Sequence, residues 1–167
     1  NWLPKIISGE TKMCFAVTEP DTGLDTTRLK TKAIKNKDKY IVNGRKIWTS
    51  TAQVADKIML LARTADRNDK NPSDGLSLFY TNFNKTSIEA RVIDKMGRSA
   101  VDSNELFIDN LEIPAEDLIG EEGNGFSYLI HSLNPERILV AAEAYGIAKN
   151  ALDRAVNYAK ERVVFEK

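Results

Sequence analysis

The sequence holds one cysteine, Cys14, and one histidine, His131. A single cysteine excludes an internal disulfide and fits a reducing compartment. The two residues have no companions at metal-ligand spacing, so no metal site is expected, and His131 reads as a surface or capping residue. Charge of one sign is also lacking: Lys+Arg and Asp+Glu both total 24, for a formal net charge of +0. That balance argues against a general nucleic-acid binder, which needs a basic excess to displace counterions from phosphates. It leaves room for a few cationic contacts to one phosphorylated ligand. No apolar run approaches the ~20 residues of a membrane span. The opening Asn1-Trp2-Leu3-Pro4 carries no initiator Met, basic leader or signal-peptide pattern, as expected of a piece cut from a longer chain.

What is present suffices for a core. The 167 residues are 42% hydrophobic and 29% charged, both in the globular range. The pattern changes character once. Residues 11–114 read as β, with strands expected at 12–17, 30–35, 40–42, 45–48, 57–63, 76–83, 88–94 and 104–111. Asn43-Gly44, between two of these, predicts a two-residue type I′ hairpin. Seven or eight short strands suggest a small β-barrel or two packed sheets. From residue 114 onward the pattern is helical. A short helix is expected over 124–133, and a long one opening with Asn134 as N-cap, Pro135 at the first helical position and Glu136 in the first turn. Ile138, Leu139, Ala142, Tyr145, Ala148, Leu152, Ala155, Val156 and Ala159 recur along it at helical spacing. Continued to Phe165 it would measure about 45 Å and overhang so small a domain, its apolar stripe needing partners. The glycine-rich segment 120–125 contains two acidic residues and lacks a following Lys-Ser, so it reads as a hinge into the helical region rather than a phosphate loop. The fold class is therefore mainly β with α, ending in the long helix of a truncated helical bundle.

Three motifs together resemble the acyl-CoA dehydrogenase family. They are Met13-Cys14-Phe15-Ala16-Val17-Thr18-Glu19-Pro20-Asp21-Thr22-Gly23-Leu24-Asp25; then Asn43-Gly44-Arg45-Lys46-Ile47-Trp48-Thr49-Ser50; then Asn134-Pro135-Glu136-Arg137, with Gly146-Ile147-Ala148 and Tyr158-Ala159-Lys160-Glu161-Arg162 beyond it. The likeness spans nearly the whole chain in the expected order. It implies residues 1–10 as the end of an N-terminal helical domain or linker, 11–118 as a middle β-barrel domain, and 119–167 as the beginning of a C-terminal helical domain. It further implies FAD as cofactor and oxidation of acyl-CoA thioesters to trans-2-enoyl-CoA. An active-site carboxylate takes the α-proton and hydride leaves the β-carbon for the flavin. Electron-transfer flavoprotein is the implied electron acceptor and a homotetramer or homodimer the implied assembly, in bacterial cytoplasm or mitochondrial matrix. The implied role is in β-oxidation and fatty acid metabolism.

By match to the family, Phe15, Val17, Thr18 and Gly23 border the flavin, as do Trp48, Thr49 and Ser50. Strand periodicity puts Phe15 and Val17 on one face, and Trp48 and Ser50 likewise. Ser50 stands where the family has Thr, with the same hydroxyl chemistry. Leu24 stands where the family commonly has a serine that contacts both flavin phosphate and acyl-CoA, and it cannot donate that bond. Arg162, followed by Val163 and Val164, matches a segment reaching the adenosine-diphosphate part of FAD in a neighbouring subunit. Asn134, Pro135, Glu136 and Arg137, with Leu24, are the substrate-side positions. Glu136 matches the catalytic base of an isovaleryl-CoA and long-chain subset, whereas most members take the base from a later segment. Each motif has a plainer counterpart: a strand with a Pro-Asp-Thr-Gly turn, a core tryptophan, a carboxylate at a helix N-terminus, a solvated arginine. An acyl-CoA oxidase shares the motifs, and a non-catalytic binding or assembly module is the alternative from another class.

Overall fold

Alternation of buried and open side chains builds the strands. In the computed structural model, which describes residues 2–165, β1 (Met13–Ala16) buries Cys14 and Ala16 and leaves Met13 and Phe15 half-exposed. A short helix, α1 (Leu3–Ile7), precedes it. The remaining strands are β2 (Lys32–Asn36), β3 (Lys39–Thr49), β4 (Lys57–Arg63), β5 (Leu76–Asn82), β6 (Ile88–Val92), β7 (Asn104–Pro114) and β8 (Leu118–Ile119). They form one mixed sheet in the order β6-β7-β3-β2-β4-β5-β8, with β1 parallel to β4. β4 and β5 pair antiparallel over their whole length, from Lys57↔Asn82 to Arg63↔Leu76. Their inward residues Ile58, Leu60 and Phe79 meet Tyr40, Leu106, Leu111 and Ile113 in one core. The Tyr40 and Phe79 rings stand edge to face at 5.0 Å, although β3 and β5 are not neighbours in the sheet. The sheet therefore curls over its own core.

Three expectations are corrected. The eight strands form neither a closed barrel nor two sheets: β6 and β8 end the order and do not pair with each other. Curling buries the inner face without ladder closure, which needs matched stagger and tilt all round. The Asn43-Gly44 hairpin is absent, because β3 runs straight through it. A Cβ on Gly44 would lie 2.3 Å from Thr31 Oγ1, so glycine here admits a close approach rather than a turn. The reversal falls instead at Lys37-Asp38, between the paired Asn36 and Lys39, with Lys37 at φ 56°. Finally, residues 125–161 are one helix, α2 (Gly125–Glu161), with Pro135 inside it. Asn134 is therefore not an N-cap and Glu136 not in a first turn. The helix also stops at Glu161 rather than Phe165. Proline removes one backbone N–H and crowds the carbonyl four residues back, yet the flanking turns keep their own bonds and the helix continues. Its 37 residues span about 55 Å.

The chain divides into two compact units, the first ending at Leu129 and the second beginning at Ile130. Within the first, the 120–125 segment is bound tightly. The Tyr40 hydroxyl donates to Glu122 at 2.6 Å, Gly123 N–H donates to Ser77 Oγ at 2.8 Å, and Gly75 N–H donates to the Gly123 carbonyl. Gly125 lies against β5, where a Cβ would come within 2.4 Å of Leu78 N. In the second unit, the side chains of α2 are almost entirely exposed, Ile138, Leu139, Tyr145 and Leu152 among them.

Candidate functional site

The first two motifs meet at the far end of β3. Along this strand the inward positions are Tyr40, Val42, Gly44 and Lys46, at period two. Lys46 therefore enters the interior, and its side chain is 0% exposed. Its ammonium donates to the Val17 carbonyl at 2.9 Å and to Glu19 Oε1 at 3.0 Å. Glu19 also accepts from Thr31 N–H at 2.9 Å, the Thr31 hydroxyl at 2.6 Å and Lys30 N–H at 2.6 Å. Burial works to raise the Glu19 carboxyl, but the Lys46 charge and these donors outweigh it and hold it below the usual range. Burial pushes the Lys46 ammonium down to about 8 against the opposing pull of Glu19. The carboxylate has several donors and the ammonium a single counter-charge, so the lysine is the less secured partner.

The next residue continues the seam: Ile47 N–H donates to the Thr18 carbonyl at 2.9 Å. Consecutive groups of β3 thus hold the consecutive carbonyls of Val17 and Thr18. The β3–β7 register then slips, from Lys46↔Leu106 to Thr49↔Asn104. Ile47 and Trp48 together oppose Glu105, which is a β-bulge. Trp48 sits at φ 62°, a region a bulky aromatic adopts only when its surroundings enforce it. The bulge reverses the strand's phase. Trp48 turns outward and is 57% exposed, while Thr49 turns inward and is 1% exposed.

A second set of bonds fixes the strand's exit. Asp102 accepts from Thr51 N–H at 2.9 Å, and the Asn104 amide donates to the Thr49 carbonyl at 2.9 Å. Burial acts to raise the Asp102 carboxyl, but bonds from Asn104, Thr51 and Gln53 keep it below its ordinary value. Thr51 is itself at φ 68°.

The sequence-identified positions distribute as follows. Phe15, Val17 and Thr18 are half-exposed along the seam. Gly23 and Leu24 lie in an open loop, Leu24 fully in solvent, and a Cβ on Gly23 would meet nothing. Trp48 and Ser50 flank the buried Thr49 on the exposed side. The Thr18 and Ser50 hydroxyls have no hydrogen-bond partner among the described residues, and neither has the buried Thr49 hydroxyl. The other positions belong to the second unit. There Leu133, Glu136, Arg137, Val140, Ala141 and Ala144 share one open face of α2, and Arg137 reaches Asn134 Oδ1 at 3.4 Å. Pro135, between Asn134 and Glu136, lies within the helix. Arg162 follows the end of α2, with its guanidinium 5.6 Å from the Tyr158 ring centroid, and Val163 and Val164 are exposed beyond it.

Sequence reasoning quoted Glu19 and Lys46 within the motifs but assigned them no role. The usable signal was the alternation from Tyr40, which carries Lys46 to the core side. Asp102 and Asn104 carried no such signal, since their partners are 51 and 55 residues away.

Residues 14–111 match the acyl-CoA dehydrogenase middle domain and residues 123–167 its C-terminal domain. The chain belongs to the acyl-CoA dehydrogenase family. It is 39% identical to cyclohex-1-ene-1-carbonyl-CoA dehydrogenase of Syntrophus aciditrophicus, covering 99% of this chain and 40% of that protein. It is 34% identical to the mitochondrial long-chain specific acyl-CoA dehydrogenase of Mus musculus, covering 99% of this chain and 39% of that protein. The crystal structure of an acyl-CoA dehydrogenase from Geobacillus kaustophilus superposes with a TM-score of 0.85 at 38% identity, over 99% of this chain and 44% of that one. The chain thus spans about two fifths of the length of these relatives. Among the described residues, no helix is long and apolar enough to cross a membrane.

Proposed function

We propose that this chain forms the flavin-facing part of an FAD-dependent acyl-CoA dehydrogenase that oxidises acyl-CoA thioesters to trans-2-enoyl-CoA. The observation that carries the reading is the seam itself: the Thr18 carbonyl bonded to Ile47 N–H draws the Phe15–Val17–Thr18 segment beside the bulge that turns Trp48 outward. The donor set fits FAD. Thr18 and Ser50 offer hydroxyls with no protein partner among the described residues, Trp48 and Phe15 offer aromatic faces, and Gly23 leaves its backbone open to phosphate oxygens. When bound, FAD supplies the hydride-accepting chemistry. The protein's part is to orient and to handle the proton. Trp48 walls the ring, and the Thr18 and Ser50 hydroxyls donate to it. Thr49 contributes its main chain, because its side chain points inward.

Glu136, on the open face of α2, is the proposed base for the substrate α-proton, the alternative being a carboxylate from a later segment of the C-terminal domain. Asn134, Pro135 and Arg137 on α2 are further proposed substrate contacts, and Leu24, in the loop after β1, is proposed as one in the first unit. Arg162, Val163 and Val164 are assigned to the adenosine-diphosphate end of FAD in a neighbouring subunit of a homodimer or homotetramer. Electron-transfer flavoprotein is the proposed acceptor. Residues 1–10 are assigned to the end of a preceding helical domain, 11–118 to the middle domain and 119–167 to the start of the C-terminal domain.

The test is FAD binding to the full-length polypeptide, followed by flavin fluorescence, with and without Trp48→Ala. Weakened binding by the variant supports the flavin-facing assignment, and unchanged affinity refutes it. The described chain by itself is expected to turn over no acyl-CoA, and measurable oxidation by it would overturn that expectation.

A further inference from the structure

We propose that the buried Lys46–Glu19 pair is a positioning element, which locks the Val17–Thr18 main chain against the β3 bulge and so sets the direction in which Thr18 and Trp48 face. The inference rests on the flavin-facing reading of those two residues.

Stability alone gives a poor account of the pair. Taking two charges out of water costs about what their attraction returns, and well-packed apolar replacements are often as stable. What a charged pair supplies here is direction. The ammonium binds both the Val17 carbonyl and Glu19 Oε1, and Glu19 reaches on to Thr31 and Lys30. Glu19 and Thr22 also exchange backbone bonds at 3.2 and 3.0 Å, so the turn that follows starts from the same residue. An apolar side chain at 46 would fill the volume but bind neither the Val17 carbonyl nor the Glu19 carboxylate.

The backbone conformation next in line points the same way. Trp48 at φ 62° requires its neighbours to hold it there. Upstream, Lys46 and Ile47 grip the Val17 and Thr18 carbonyls. Downstream, the Asn104 amide grips the Thr49 carbonyl. Trp48 lies between the two attachments. Releasing the upstream one frees both the Thr18 hydroxyl and the tryptophan from their common frame. The Lys46 side chain itself is wholly buried, so its ammonium meets protein acceptors and not solvent.

The experiment uses the full-length polypeptide with Lys46→Met, Trp48→Ala and Thr31→Val. The readouts are thermal unfolding of the flavin-free protein, FAD affinity by fluorescence, and the visible circular dichroism of bound FAD. Lys46→Met leaves the Glu19 carboxylate buried without its counter-charge, so it is expected to lower the unfolding temperature, to weaken FAD binding to the folded protein about ten-fold and to change the dichroism. Combined with Trp48→Ala, its effect on affinity should be less than additive, because both act on one aromatic wall. Wild-type affinity and dichroism in a folded Lys46→Met protein would overturn the proposal while leaving the flavin site intact. If Trp48→Ala also leaves affinity unchanged, the site reading falls with it. Should Lys46→Met not fold, Thr31→Val decides: it removes one donor to Glu19, and a loss of about three-fold with altered dichroism supports positioning. No change in either readout overturns it.

Discussion

The two units of this chain spend their apolar residues in opposite ways. In the first, Ile58, Leu60, Phe79, Leu106 and Ile113 are wholly or almost wholly buried, and charged groups such as Lys46 and Arg63 are drawn inside with their partners. In the second, Ile138, Leu139, Tyr145, Leu152 and Tyr158 stand more than half exposed along α2. Both sequences show clean apolar periodicity, so periodicity alone does not say where burial happens. A curled sheet supplies its own opposite wall. A single helix presents a stripe and must receive its wall from elsewhere. The first unit can therefore be tested for stability as it stands, and the second for what covers it.

That contrast sets the order of expected effects. Phe79→Ala, at the centre of the first core, should cost about 3–5 kcal/mol in chemical denaturation, whereas Leu152→Ala on α2 should stay within about 0.5 kcal/mol in the same chain. A comparable loss at both positions would break the comparison. Gly125→Ala should cost about 1–3 kcal/mol, since the added Cβ meets the β5 backbone and not a yielding side chain. Gly146→Ala on the open part of α2, where a Cβ meets nothing, should instead raise helix stability by up to about 1 kcal/mol.

The acid limb of the stability curve sharpens the comparison further. Glu19 has a depressed folded-state pKa, so the stability it contributes is present above the ordinary carboxylate range and lost as pH falls through the depressed value. Glu19→Gln should flatten that limb, measured as midpoint denaturant concentration against pH. The smallest effect is expected at Thr49→Val. It removes a buried hydroxyl that has no partner, so the variant should be neutral or more stable, by about 1 kcal/mol at most. A clear loss of stability would show that this hydroxyl is bonded in solution.

The common direction of Trp48 and Ser50 is legible in the sequence. Trp48 and Ser50 were placed on one side of β3, and both are exposed there. A two-residue spacing on a regular strand accounts for their sharing a side but not for which side it is. Without the bulge, Trp48 would share the inward face with Tyr40, Val42 and Lys46. The slip against Glu105 reverses the phase and turns the indole out. Asn43-Gly44 misled because its dipeptide chemistry suits a turn equally well. Thr31 decides the matter, and Thr31 lies outside the dipeptide's neighbourhood, just before β2. Asn134-Pro135 misled similarly: the pair carries every mark of a helix start, but a helix already formed from Gly125 runs through it.

The sequence by itself determined the strand-rich first part, the helical second part, the family, and which residues cluster in motifs. The first two follow from local periodicity, which the chain carries wherever it folds, and the family from the resemblance that its motifs carry. Only the tertiary structure decided that the sheet stays open, that β3 passes through its glycine, that Trp48 faces outward, and that Lys46 and Glu19 close the seam behind it. Each of these depends on a partner distant in sequence, whose steric demand or charge outweighs the local preference of the residue it meets.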